Sequence, residues 1–226
     1  MSDEEKGKVD IIRPLDCAEA MFHALINGKI KGTTTYNSDI DQCWTWREQE
    51  CNIWTGYANE GKGVAIKQLT LKKSLEENKK FIFCSPEDFP PEEFFDDLIH
   101  TLSGQTTDKD YPNVIHPDLY HYCLELIKDK FIFLYIKPPH NTIKGLLEEF
   151  RAICKNEDIF GCIIDPLIKF ARPKNFSERD DIYASYIGSI CVDFARETNT
   201  SLHLVMHQLT PQVNIVTGKQ IGRAHV

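Results

Sequence analysis

Cys51-Asn-Ile-Trp-Thr-Gly56-Tyr-Ala-Asn-Glu-Gly61-Lys62-Gly63-Val64 is the stretch whose reading decides the fold. A short apolar run (Ile53, Trp54) ends in Gly56, and Gly61-Lys62 then opens a segment with helical character from Val64 to Leu75. Strand, glycine-rich turn and helix in that order point successive backbone N–H groups and a helix N-terminus at a phosphate chain. The lysine adds a point charge for the outer phosphates. The spacing satisfies G-x-x-x-x-G-K-[S/T] at every position but the last, where Gly63 replaces the hydroxyl that would hold Mg²⁺. The stretch therefore reads as a nucleotide-phosphate cradle with one magnesium ligand missing. Its candidate binding residues are Gly56, Asn59, Glu60, Gly61, Lys62, Gly63 and Val64. The competing reading is a glycine-containing turn that happens to include a lysine, and the downstream elements decide between the two.

Composition sets the outer bounds. With 226 residues the chain suffices for one good-sized domain plus an extension, and 42% hydrophobic with 27% charged residues is an ordinary globular balance. No apolar run approaches bilayer length, and the opening Met-Ser-Asp-Glu-Glu-Lys is the opposite of a signal peptide, so no membrane partner is expected. The eight cysteines are scattered without a C-x-x-C pair, and several sit in apolar runs. That pattern argues against a zinc site or disulfide framework and for a reducing cytoplasm. A net charge of −8 does not favour bulk affinity for nucleic acid, although a local basic strip or channel would suffice.

Along the chain, residues 1–30 begin polar and continue into an amphipathic helix carrying Ala18, Ala20, Met21, Ala24, Leu25 and Ile26 up to Asn27-Gly28. Such a helix must dock on the domain or on a neighbouring subunit to bury its stripe. Residues 32–50 are turn-rich, then aromatic, with Trp44 and Trp46 (like Trp54) expected in the core. After the phosphate turn and its helix, residues 80–85 and 131–136 read as buried strands, continuous and apolar without alternation. Residues 159–165 and 202–206 follow the same pattern. Helical segments lie between them, opening at Pro90-Pro91, Leu119, Thr142 and about Asp180. Apolar strands alternating with helices predict an α/β fold, a mostly parallel sheet with helices on both faces.

In such sheets ligands bind at the carboxyl ends of the strands. Those ends carry the turn at 56–63, Glu87, Asp165 and Gln208, each the first strong polar group after its strand. Asp165 has the form of the acid that holds Mg²⁺ beside a phosphate loop; a turn aspartate before Pro166 is the alternative. Glu87 can activate a water for attack on a γ-phosphate, or be one acid of an acid-rich loop. Gln208 can hydrogen-bond that phosphate or water, or merely close a strand end. The basic and aromatic segment from Lys169 to Arg179, with Lys169, Arg172 and Lys174, is the best candidate for contacting single-stranded DNA. A solvated surface loop is the alternative there.

With these residues assembled, the chain resembles the RecA-like motor domain of DnaB-type (superfamily 4) replicative helicases, including the Twinkle and phage primase-helicase branch. The resemblance runs from about Lys31 to Gln208. Gly32-Thr-Thr-Thr and Ile40-Asp41 look like the lead-in, Gly56–Gly63 like the Walker A loop, and Phe83-Cys-Ser-Pro-Glu87 like the segment bearing the catalytic glutamate. Gly161-Cys-Ile-Ile-Asp165 looks like Walker B, and the segment from Asp180 to Gln208 like the helix and sensor strand that follow. The resemblance implies a P-loop NTPase that uses ATP and Mg²⁺ to drive translocation on single-stranded DNA as a homo-hexamer. It also implies a linker helix before Lys31 that docks on the adjacent subunit. Three departures accompany it: Gly63, the lack of an N-terminal primase-type domain, and an end just after the sensor strand, which would leave the core at 31–212 partial on its C-terminal side and without an arginine finger. Ile221-Gly-Arg-Ala-His-Val226 reads as translated sequencing adapter, so residues 213–226 are expected to be a non-native or disordered tail. Two other readings stay open, a RecA/RadA-like recombinase and, because of Gly63, a non-hydrolysing nucleotide-binding module of a ring. Ser-Pro-Glu-Asp and Met-His-Gln favour the helicase branch.

Overall fold

The continuous apolar runs become strands and the amphipathic segments between them become helices. The computed structural model describes residues 11–28, 32–137, 141–173, 180–208, 212–213 and 220–221. It divides into two units, Met1–Thr33 and Thr34–Val226. In the first, a 3₁₀ turn at Pro14–Cys17 leads into α1 (Ala18–Asn27), which contains no buried residue. Met21, Phe22, Leu25 and Ile26 are all more than half exposed.

The second unit runs α2 (Ser38–Asp41), β1 (Cys51–Gly56), α3 (Lys62–Glu77), β2 (Lys80–Cys84), α4 (Pro91–Ser103), α5 (Pro117–Ile127), β3 (Phe131–Phe133), α6 (Ile143–Cys154), β4 (Ile159–Ile164), α7 (Asp180–Thr198) and β5 (Ser201–His207). Two short strands, β6 (Gln212–Val213) and β7 (Gln220–Ile221), pair antiparallel; the rest of the stretch from 214 onward lies outside the described residues.

β1 to β5 form one parallel sheet in the order β1-β5-β4-β2-β3. Side chains alternate across it. Ile82, Cys84, Cys162, Ile164, Leu202 and Leu204 pack with Leu147, Phe150, Cys191 and Phe194 of α6 and α7. Phe81, Phe83, Phe131, Phe160 and Ile163 pack on the other side with Ile66, Phe94, Leu98 and Ile127 of α3, α4 and α5. Both faces are thus covered, which is why the strands read as unbroken apolar runs.

Two elements differ from the sequence expectation. α2 forms inside the turn-rich stretch because Asn37 caps it, accepting from the Asp39 and Ile40 N–H groups. Asp41 then folds back to accept bonds from Thr34 Oγ1, Thr35 N and Thr35 Oγ1 at 2.5, 2.7 and 2.7 Å, which hold its carboxyl below the usual range. β3 is shorter than the apolar run 131–136 and has β2 as its one neighbour. Its pairing ends where Leu134 N donates to Phe83 O.

The three tryptophans are core residues, arranged around His203 in the middle of β5. Trp54 Nε1 donates to His203 Nδ1 at 2.9 Å, so the neutral ring donates from Nε2 to Ser201 Oγ, also at 2.9 Å. Trp44 and Trp46 meet the imidazole edge to face, and burial pushes its pKa down to about 3.

Gly161 marks a close approach within the sheet. A Cβ there would lie 2.9 Å from two Phe81 ring carbons and 3.2 Å from Ser201 O. Gly161→Ala is therefore expected to lower stability by about 1–3 kcal/mol in urea unfolding, the usual cost of overpacking.

Candidate functional site

β1 delivers the chain to Gly56, and α3 restarts it at Lys62. The turn between reverses through two left-handed residues, Asn59 (φ 63°) and Gly61 (φ 76°), the second immediately before the helix. Asparagine tolerates that conformation and glycine adopts it without strain. At Gly56 a Cβ would lie 2.8 Å from Glu60 Oε2 and 3.4 Å from Lys62 Cδ, so a side chain there would displace the Glu60 carboxylate from its present place.

Glu60 curls back so that Oε2 accepts from Tyr57 N at 2.8 Å, and Lys62 Nζ donates to Gly56 O at 3.0 Å and Tyr57 O at 2.5 Å. The turn already holds a carboxylate on a backbone N–H with an ammonium beside it. That is the donor set a phosphate would use. Val64 follows on the exposed side of α3.

The other strand ends converge beside it. Asp165 follows β4, its N–H bonded to Cys84 O at 3.0 Å, and its carboxylate reaches the first turn of α3. A Cβ on Gly63 would lie 2.7 Å from Asp165 Oδ2. Gln208 follows β5, and its N–H donates to Gly56 O at 2.9 Å, which sets it directly beside the turn with its side chain exposed. Glu87 follows β2 and is exposed; Lys169 Nζ pairs with its Oε1 at 3.0 Å. Lys169 thus sits against the candidate general base. Arg172 pairs with Asp180 at 2.5 Å and lies over the Tyr183 ring, while Lys174 falls outside the described residues.

Three residues that sequence reasoning passed over also belong here. His207, the last residue of β5, places Nε2 3.8 Å from Glu87 Oε2, too far for a hydrogen bond. Neither of its buried ring nitrogens has a hydrogen-bond partner among the described residues. Buried polar atoms are normally paired, so an imidazole left open beside Glu87 is equipped to bond to something that enters. Asp88 accepts from Ser85 Oγ at 2.8 Å and pairs with Lys67 at 3.0 Å; Lys67 also pairs with Asp97 at 3.0 Å.

Lys67 is 6% exposed, and burial alone would lower its pKa. The two aspartates outweigh that and raise it, so the ammonium stays charged. Its signal in the sequence was the polar set Lys67, Thr70 and Ser74 at helical spacing, all on the inner side of α3. His207 was hidden because it ends an apolar strand next to the more obvious Gln208.

These groups fix the electrostatics. Burial raises the Asp165 carboxyl to about 6; Asp88 and, less, Glu87 add to the rise, while Lys67 and His207 oppose it. A cation beside the Asp165 carboxylate would offset both its burial and the neighbouring Asp88 and Glu87. No cluster of three or more His, Cys, Asp or Glu suited to a metal occurs among the described residues. Mg²⁺ beside phosphates needs only one or two carboxylates, which Asp165 and its neighbours supply as hard oxygen donors, so the residues fit that ion. The turn, with the Tyr57 N–H and Lys62, offers donors for a phosphate chain. No described helix is long and apolar enough to cross a membrane.

A folded-state pKa above the ordinary aspartate value of 3.8 means that the stability due to neutral Asp165 is complete below that pH. It is lost as pH rises through about 6. Asp165→Asn, which stays neutral, is expected to match the parent at pH 4 and to exceed it at pH 8 by about 1–3 kcal/mol in urea unfolding.

No family model and no curated protein matches the chain by sequence. Solved structures do match by shape. One, an ATPase domain, superposes with a TM-score of 0.69 at 14% identity over 88% of this chain and 72% of that one. A second, a DnaB-like replicative helicase solved for its interactions with primase, gives 0.69 at 13% identity over 91% of this chain. The chain spans about half (51%) of that helicase's length. With its parallel sheet, phosphate-type turn and strand-end acids, the chain has the RecA-like α/β fold of the DnaB-like helicase ATPase domains.

Proposed function

We propose that the chain is the ATP-hydrolysing motor of a DnaB-like replicative DNA helicase, moving on single-stranded DNA as a homo-hexamer in the cytoplasm of a bacterial or phage-infected cell. The observation that carries this reading is the meeting of Asp165 with the first turn of α3 at Gly63, next in the chain to Lys62, with Glu87 and His207 near enough to act on the Asp165 carboxyl. A triphosphate would take its bonds from the turn's N–H groups and from Lys62, whose ammonium must leave the Gly56 and Tyr57 carbonyls to reach it. Mg²⁺, when bound, would neutralise charge on the phosphates, with Asp165 holding it.

Glu87 would orient the attacking water and accept its proton once released from Lys169. His207 has two ring nitrogens without hydrogen-bond partners for the outer phosphate or the water, and the exposed Gln208 would act through the β1–β5 junction. The exposed Met21, Phe22, Leu25 and Ile26 of α1 support docking on a neighbouring subunit. Lys169, paired with Glu87, and Arg172, paired with Asp180, are the basic groups assigned to DNA. A second reading has one observation in its favour: Gly63 supplies no hydroxyl, as in a module that binds nucleotide without hydrolysing it.

Lys62→Ala is expected to cost about tenfold or more in ATP affinity, by titration calorimetry, with unchanged circular dichroism. Unchanged affinity would remove the nucleotide site. Glu87→Gln is expected to keep binding and to lose about 10²-fold or more in turnover measured with single-stranded DNA. Turnover by the parent that rises with single-stranded DNA supports the motor; tight binding without turnover in either protein supports the module.

A further inference from the structure

Glu87 is exposed, so its place at the site is set by the turn that carries it. That turn runs from Ser85 to Asp88, with Pro86 and Glu87 at its two central positions, and is closed by Asp88 N donating to Ser85 O at 3.1 Å. Ser85 Oγ donates across it to Asp88 Oδ2 at 2.8 Å, and Ser85 itself is buried just after β2. The Asp88 carboxylate then receives the Lys67 ammonium at 3.0 Å. We propose that Lys67 is a positioning residue for hydrolysis: its buried ammonium ties the turn that presents Glu87 to α3, the helix that opens at the phosphate turn. The inference rests on the hydrolytic reading above and deepens it.

Lys67 stands on the inner side of α3, its ammonium 5.3 Å from the centre of the Phe94 ring. A charge in such a place is costly unless it is paired. Of its two partners, Asp97 on α4 has a side chain more than half exposed, and a solvated pair of that kind contributes little. The Asp88 side chain is one-quarter exposed and also closes the turn, so this is the pairing that fixes a geometry.

Without the ammonium, Asp88 would be an unpaired carboxylate that repels the like charge of Asp165. The turn lies at the surface, so the carboxylate can leave for water. In leaving it gives up the bond from Ser85 Oγ, and Glu87, the adjoining residue, moves with it. A misplacement of about 1 Å in a group that orients a reactant costs on the order of 10²-fold in rate. Nucleotide binding draws instead on the N–H groups of the phosphate turn and on Lys62, which bond within that turn and not to Lys67.

The test compares the full 226-residue chain with Lys67→Met, whose unbranched apolar stem keeps the packing on Phe94, and with Asp88→Ala, which cuts the same tie from the loop side. Both are expected to keep the melting temperature and the KM for ATP and to lose about ten- to a hundredfold in kcat with single-stranded DNA. The double variant is expected to lose no more than the worse single one, because the two residues act as a unit. Hydrogen exchange of the Asp88 amide is expected to accelerate about tenfold or more in Lys67→Met, with the amides of α3 unchanged. Asp97→Asn is expected to stay within about twofold of the parent in kcat.

An Asp88 amide that exchanges no faster without Lys67, or a kcat that does not fall, overturns the proposal and leaves the hydrolytic reading standing. So does a fall in kcat that comes with a lower melting temperature or a higher KM, or that adds up in the double variant, because general loosening of the fold then explains it. A kcat that falls as far in Asp97→Asn overturns the proposal in the same way. A parent chain that binds ATP without turning it over overturns the proposal and the hydrolytic reading together and leaves the nucleotide site in place; one that does not bind ATP removes the site as well.

Discussion

The structure depends on one late strand lying between two earlier ones. β5 hydrogen-bonds β1 on one side, with Gly56 opposite His207, and β4 on the other, with Ile164 opposite Leu204. Until residues 201–207 are seated, β1 has no place in the sheet, and the turn at 56–63 has no fixed relation to Asp165. Parallel neighbours need long crossovers, and these enclose most of the chain. The cradle and the strand-end acids are held in register by backbone ladders, which side-chain substitutions do not sever.

The neutral His203 belongs to the same constraint. An imidazole in the centre of an apolar strand could be tolerated only if both nitrogens found partners, and Trp54 and Ser201 provide them. The indole ring of Trp46 closes the other side at 1% exposure. Three aromatic residues from the segment before and within β1 thereby lock that strand onto β5. This explains why the stretch ahead of the phosphate turn is so rich in tryptophan.

Much of this was legible beforehand because the strands are buried on both faces and contrast sharply with the helices around them. α1, α3, α6 and α7 begin and end within a few residues of where apolar spacing, proline and glycine put them. Strand order was not legible from the runs themselves: nothing in Ile159–Ile164 or Ser201–His207 says which neighbours the other. Buried lysines escaped for a different reason. Lys67 and Lys73 count as surface residues in any hydrophobic pattern, yet their stems line the core and their ammonium groups find Asp88, Asp97 and Glu77. His207 was overshadowed by the amide that follows it. Of the strand-end groups named from sequence, Asp165 and Gln208 lie beside the turn, whereas Glu87 lies against Lys169 and His207, and the acids that act on Asp165 were visible only in space.

The bond from Tyr57 N to Glu60 gives the turn a property of its own. The loop is supplied with an internal anion, so its resting shape is one half of a competition. Any external ligand that needs the Tyr57 N–H meets a self-bound state first, and its apparent affinity is scaled by the fraction of molecules in which Glu60 has swung out. The intramolecular carboxylate also keeps the backbone ordered while nothing else is bound, so arrival involves exchange of one acceptor for another more than folding of a slack loop. A chain built this way favours ligands carrying enough charge to outbid a single carboxylate.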